Sequence, residues 1–187
     1  MNNPQKILRS VDTHLLRPTR IVLFGRAALA LGYDPPEAIF GVTNDVDALL
    51  PSVDMASIER DEQFWNAIDA TNRELEPTGL YITHLFSDEQ VVITPDWLSR
   101  IVPISSDAYR HVRLFRPAGI DLLLTKMMRH DPQDLEDVRF ILRREGITRR
   151  KVAEAAAQAR LPDVTEIREI FASMLPLVES MAAEINS

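Results

Sequence analysis

Ile21–Tyr33, IVLFGRAALALGY, and Thr43–Leu50, TNDVDALL, decide how this chain is read. In the first, an apolar run breaks at Gly25, and alanines and leucines at helical spacing follow. A short buried strand therefore passes through a glycine turn into a helix that stops near Gly32. In the second, Asp45 and Asp47 flank Val46. Side chains two apart on a strand share a face, so two carboxylates stand side by side while Val46 turns to the core. Like charges that close repel. Either they face water at a sheet end, or a hard divalent cation with oxygen ligands, Mg²⁺ above all, removes the repulsion.

Outward from these stretches, Ile7, Leu8, Val11, Leu15 and Leu16 have helical spacing near the N-terminus. DPPEAIFG reads as a loop, marked by Pro35 and Pro36. SIERDEQFWNAIDATNREL predicts one long helix burying Ile58, Phe64, Trp65 and Ile68. YITHLF and QVVIT predict a hairpin joined by SDE, and HVRLF a further strand. Pro117 suits the first position of a helix with an apolar stripe at Ile120, Leu123, Leu124 and Met127. Asp131-Pro132 starts another helix, which Gly146 ends. The tail is helical, broken at Pro162 and kinked at Pro176, with Asp163 and Glu166 at capping-box spacing. These elements predict an α+β fold. Residues 1–116 form an α/β core with a mixed sheet flanked by helices, and residues 117–187 form a C-terminal helical section packed on it.

Composition narrows the function classes. The 187 residues carry a formal net charge of −7, which disfavours general nucleic-acid binding but not a local basic patch. With no cysteine, disulfides and thiolate metal sites are excluded. No apolar run approaches a membrane span, and the N-terminus lacks a signal-peptide core, so a cytoplasmic protein with no membrane partner is expected.

A helix N-terminus after a glycine turn presents free N–H groups to an anion such as a triphosphate. A phosphate cradle followed by a metal-binding aspartate pair is the machinery of nucleotidyl transfer. The run LFGRAAL…TNDVDALL resembles the signature of the nucleotidyltransferase superfamily to which DNA polymerase beta belongs. DLLLTKMMRHDPQDLEDVRFIL resembles the helix pair of the bacterial abortive-infection toxin (AbiEii-like) branch, so the likeness runs from Ile21 to Leu142. It implies a nucleotidyltransferase-like fold in which Gly25 and Arg26 contact the nucleotide phosphates and Asp45 and Asp47 bind Mg²⁺ or Mn²⁺. It implies that Lys126 approaches the triphosphate, that Arg129 shares its helix face, and that Asp137, with Asp134, lines the cleft. Catalysis would then rest on Asp45, Asp47, Lys126 and Asp137. The implied reaction moves a nucleotidyl group from an NTP to a hydroxyl of RNA, protein or a small molecule, in a toxin with an antitoxin partner.

Other readings stand beside these. Arg26 replaces the small residue that follows the glycine in the family; it points at phosphates, or snorkels to solvent. The family's third carboxylate belongs on a later central strand, yet YITHLF has no acid, and Thr83 and His84 stand there instead. His84 is a base, a ligand or a structural residue, while Asp88 and Glu89 fall in the hairpin turn. The alternative function is therefore a nucleotidyltransferase fold that has lost catalysis and serves as a binding or interaction module. Lys126 or Arg129 bridging to Asp137 within the chain, and Asp134 complementing a helix dipole, are the structural counterparts of the site reading. RREGITRRK meets an RNA backbone or an acidic partner, or is a solvated helix end; HVRLFR lines a cleft or edges a strand. The apolar stripe of the last helix is core, or docks a partner.

Overall fold

The apolar run Ile21–Leu23 is buried throughout, as a central strand requires. In the computed structural model, which describes residues 1–186 apart from the side chains of Thr83 and His84, this run lies in β1 (Thr19–Phe24) at the middle of a five-stranded sheet. The other strands are β2 (Asp45–Leu50), β3 (Tyr81–Ser87), β4 (Val102–Pro103) and β5 (Val112–Arg116), in the order β3-β2-β1-β5-β4. β1 pairs antiparallel with β2 and parallel with β5, β2 runs parallel to β3, and β4 is antiparallel to β5. The fold is the mixed α+β arrangement expected. The chain divides into two compact units: Met1–Ser87 with Ile101–Arg116, and Asp88–Arg100 with Pro117–Ser187.

The first unit holds the whole sheet. Helix α1 (Asn3–His14) opens with a capping box, Asn2 accepting from the Gln5 amide and Gln5 from the Asn2 amide. It buries Ile7, Leu8 and Val11 but stops at His14, leaving Leu16 exposed outside the helical stripe. Helix α2 (Gly25–Leu31) is almost wholly buried, so alanine and leucine fill it on every side. The long helix expected after β2 is two pieces, α3 (Met55–Ile58) and α4 (Glu62–Leu75), because Asp61 caps α4 by accepting from the Phe64 amide. Ile58 and Trp65 are consequently only half-buried. Asn72 of α4 exchanges two 2.8 Å hydrogen bonds with the backbone of Ile82, satisfying the open edge of β3. Arg116 does not line a cleft: it is buried, with its guanidinium 4.2 Å from the Tyr33 ring centroid and Nε donating to the Gly32 carbonyl.

The hairpin expected beyond β3 does not form. A 3₁₀ turn over Asp88–Gln90 follows the strand, and the apolar run Val91–Ile93 is buried in the second unit. Ile93 makes a single bridge with Arg160, whose guanidinium also reaches the Asp88 carbonyl and carboxylate. Asp88 is thus buried and accepts from the Trp97 indole at 2.8 Å, far from the exposed turn the sequence suggests. Helix α5 (Gly119–Thr125) begins two residues after Pro117, with Ala118 as its cap. Its buried Asp121 accepts from the Thr94 hydroxyl and from Arg100, fastening the 88–100 segment to it. Helix α6 (Pro132–Glu145) starts at the Asp131 cap and ends at left-handed Gly146, as read from the sequence. Helices α7 (Arg149–Gln158) and α8 (Thr165–Ile185) follow, and Pro176 lies inside α8. The Asp163–Glu166 capping box is absent, because Val164 occupies the cap position and Asp163 pairs with Arg168. The α8 stripe is core at Phe171, Met174, Val178 and Met181. Among the described residues, no helix is long and apolar enough to cross a membrane.

Asp12 ties α1 to β5. Its Oδ1 accepts from the His111 and Val112 amides at 2.6 and 2.7 Å, and its Oδ2 from the Arg110 amide at 2.9 Å. Burial pushes this carboxyl up, but the three amides outweigh it and hold it below the ordinary carboxylate range. Asp12→Ala is expected to lower stability by roughly 2–3 kcal/mol in urea denaturation, since it strands three amides that a charged acceptor now satisfies.

Candidate active site

Over the first three residues of β2 burial alternates, and the rest of the strand is buried. Val46 is fully buried, and Asp45 and Asp47 on either side of it are half-exposed. Both carboxylates therefore share one face, and Phe24, the register partner of Asp47 on β1, faces the same way. Thr43 donates from Oγ1 to Asp45 Oδ1 at 2.5 Å, which fixes the orientation of that carboxylate. Thr43 escaped the sequence reading, although a hydroxyl residue two positions before an acid is the local signal for such a bond.

Gly25 follows Phe24 with φ +63°, a left-handed conformation that glycine tolerates. A Cβ there would lie 2.9 Å from Asp47 Oδ2. The absent side chain is thus what lets the carboxylate sit against the turn, and the turn and the acid pair meet within one unit. Arg26 does not snorkel freely. It is half-buried with its guanidinium 5.7 Å from the Phe40 ring centroid.

These donors fit a hard cation. Mg²⁺ is commonly held by one or two carboxylates, with water and substrate phosphate oxygens completing its shell. Among the described residues no group of three or more His, Cys, Asp or Glu side chains is placed to hold a metal. The strand beside β2 on its outer edge is β3, where the family's third acid was sought. Between the pairs Val46↔Ile82 and Ala48↔Leu85 the register shifts by one extra residue in β3, opposite Asp47. The side chains of Thr83 and His84, the residues at that shift, lie outside those described.

Lys126, Arg129, Asp134 and Asp137 come together in the second unit. Lys126 is 5% exposed, and its ammonium donates to Asp137 Oδ2 at 2.6 Å and Asp134 Oδ1 at 3.1 Å. Arg129 donates from Nε and Nη2 to the two oxygens of Asp134 at 2.7 and 3.2 Å. Asp134 and Asp137 are buried, three apart on one face of α6, so two cations meet two carboxylates. Each buried charge of the cluster has a partner, and removing one partner would leave the other uncompensated, which is strongly destabilising. Burial pushes the Asp134 carboxyl up, but the Arg129 hydrogen bonds and the Lys126 charge outweigh it and hold it below the ordinary carboxylate range. Of the basic run, Arg149 and Arg150 pair with Glu179 and Glu154.

Residues 5–144 match the family model described as "Nucleotidyltransferase of unknown function (DUF6036)", which covers about three quarters of the chain. No curated protein and no solved structure matches it.

Two outcomes are expected. Gly25→Ala forces a side chain into a left-handed position and displaces the Asp47 carboxylate; it should lose about 1–2 kcal/mol in denaturant unfolding. Asp134, with its folded pKa depressed, contributes stability fully present above 3.8 and lost as pH falls through the lower folded value. The melting temperature of Asp134→Asn should therefore fall less steeply than the parent's as pH drops below about 4.

Proposed function

We propose that this chain, which belongs to the nucleotidyltransferase family of unknown function DUF6036, transfers a nucleotidyl group from an NTP at the Gly25–Asp45–Asp47 site. The observation that carries the reading is the Asp47 carboxylate lying against the Gly25 turn, with Asp45 on the same strand face. Asp45 and Asp47 would hold Mg²⁺ or Mn²⁺. When bound, the cation neutralises triphosphate oxygens and lowers the cost of charge moving onto the leaving group. The Gly25 turn, bare of a side chain, lets the Asp47 carboxylate stand against the backbone at the end of β1, beside the phosphates in this reading. Arg26, steadied over Phe40, adds charge-assisted donors to the phosphates. Thr43 keeps Asp45 in one orientation, so less of the site must be ordered when nucleotide arrives.

The acceptor in this reading is a hydroxyl of RNA, protein or a small molecule. The AbiEii-like helix pair supports a cytoplasmic toxin controlled by an antitoxin partner, by analogy of sequence. Lys126, Arg129 and Asp137, together with Asp134, serve the proposal as a lock at the junction of α5 and α6, since the Lys126 ammonium already contacts two carboxylates. One feature favours a second reading, a nucleotide-binding module without turnover: β3, Tyr81–Ser87, carries no acidic residue.

Incubation with labelled NTPs, Mg²⁺ or Mn²⁺, and total RNA or cell lysate tests both readings. Labelled product is expected from the parent, with at least about a hundredfold less from Asp45→Asn combined with Asp47→Asn. That variant should fold normally, since removing two adjacent like charges relieves repulsion in the empty site. Aspartate-dependent NTP binding with no labelled product in any fraction would establish the second reading and end the first.

A further inference from the structure

Tyr81 is the register partner of Asp45 across the parallel β2–β3 pairing. Paired residues in a ladder project to one face, and burial agrees: Tyr81 is 38% exposed beside half-exposed Asp45, whereas Ile82 and Val46 are both fully buried. The backbone there is held from both sides. The Tyr81 amide donates to the Asn44 carbonyl at 3.1 Å, and the Asn72 side chain clamps the next residue, Ile82. An exposed aromatic ring is thus presented on a rigid strand next to the acid pair.

Sheet order fixes where this residue lies relative to the turn and the acid pair. Gly25 directly follows β1, the aspartates stand on β2 and Tyr81 on β3, so the three features follow one another across the sheet. From the phosphate turn to the tyrosine is two inter-strand spacings, about 10 Å. An NTP spans a distance of that order between its β-phosphate and its base. Resting on the nucleotide-binding reading of Asp45 and Asp47, we propose that Tyr81 is the nucleobase platform of the site, stacking on the base of the bound NTP. Stacking on an aromatic ring tolerates every base, because every base has a π-face. The larger face of a purine covers more of the phenol ring, so the site takes purine nucleotides in preference to pyrimidine ones.

Calorimetric titration with three Mg²⁺ complexes tests this without any acceptor: a non-hydrolysable ATP analogue, its CTP counterpart, and inorganic tripolyphosphate. Tyr81→Ala should weaken the ATP analogue about tenfold and leave tripolyphosphate unchanged. Tyr81→Phe should bind as the parent does, and Tyr81→Leu, which keeps bulk but has no ring, should behave as the alanine variant. The parent should favour the ATP analogue over the CTP one, and Tyr81→Ala should narrow that preference. Unaltered ATP-analogue binding in Tyr81→Ala and Tyr81→Leu, or an equal loss of all three ligands, overturns the proposal while leaving the aspartate site standing. If instead Asp45→Asn with Asp47→Asn binds all three ligands like the parent, the aspartate site itself fails, and the platform falls with it.

Discussion

The Asp47 carboxylate fills the space that a side chain at residue 25 would occupy. Much of the first unit is arranged around that contact. The pairing Phe24↔Asp47 brings the end of β1 level with the acid pair, and left-handed Gly25 then turns the chain directly into α2. Because α2 is buried on nearly every side, its start must be accurate, and small residues allow it. A larger residue at 25 would push on the carboxylate and the helix together. The geometry of the acid pair and the path of the backbone are therefore one constraint.

The chain contains two acid pairs with opposite surroundings. Asp134 and Asp137 on α6 are fully withdrawn from water and matched by Lys126 and Arg129. Asp45 and Asp47 on β2 keep access to solvent. Ionised carboxylates withdrawn from water need partners to repay their lost hydration. A pair left at the surface keeps that hydration until a ligand replaces it. The same residue type is thus paired and buried in one unit and solvent-accessible in the other.

Local signals carried the parts of the fold that were legible in the sequence. The strand–glycine–helix run, the alternation around Val46, and the Asp131-Pro132 start and Gly146 end of α6 each depend on residues within a few positions. What was not legible depends on distant partners. Val91–Ile93 has the composition of a strand, but its one bridge is to Arg160. The bridge from Lys126 to Asp137 was among the readings of the sequence, but the depth at which it is buried, with Asp134 as a second partner, was not, because a long side chain beside an apolar stripe usually reaches water. The break at Asp61 is the exception: a capping residue was present, and the surrounding helical periodicity masked it.

The path of the chain bears on how the protein is made. Neither unit is a continuous stretch, since Asp88–Arg100 belongs with the helices and Ile101–Arg116 with the sheet. On the ribosome, β1 lacks its parallel neighbour until β5 emerges, so the sheet cannot close as its first three strands appear. Val91, Val92 and Ile93 leave the ribosome earlier still, yet their burial and the Arg160 bridge await α5 to α7. For that interval a nascent chain displays an apolar segment with strand-like composition, the kind of surface that invites chaperones or misassociation. The apolar run is therefore covered only once the chain from Asp88 to Arg160 is complete.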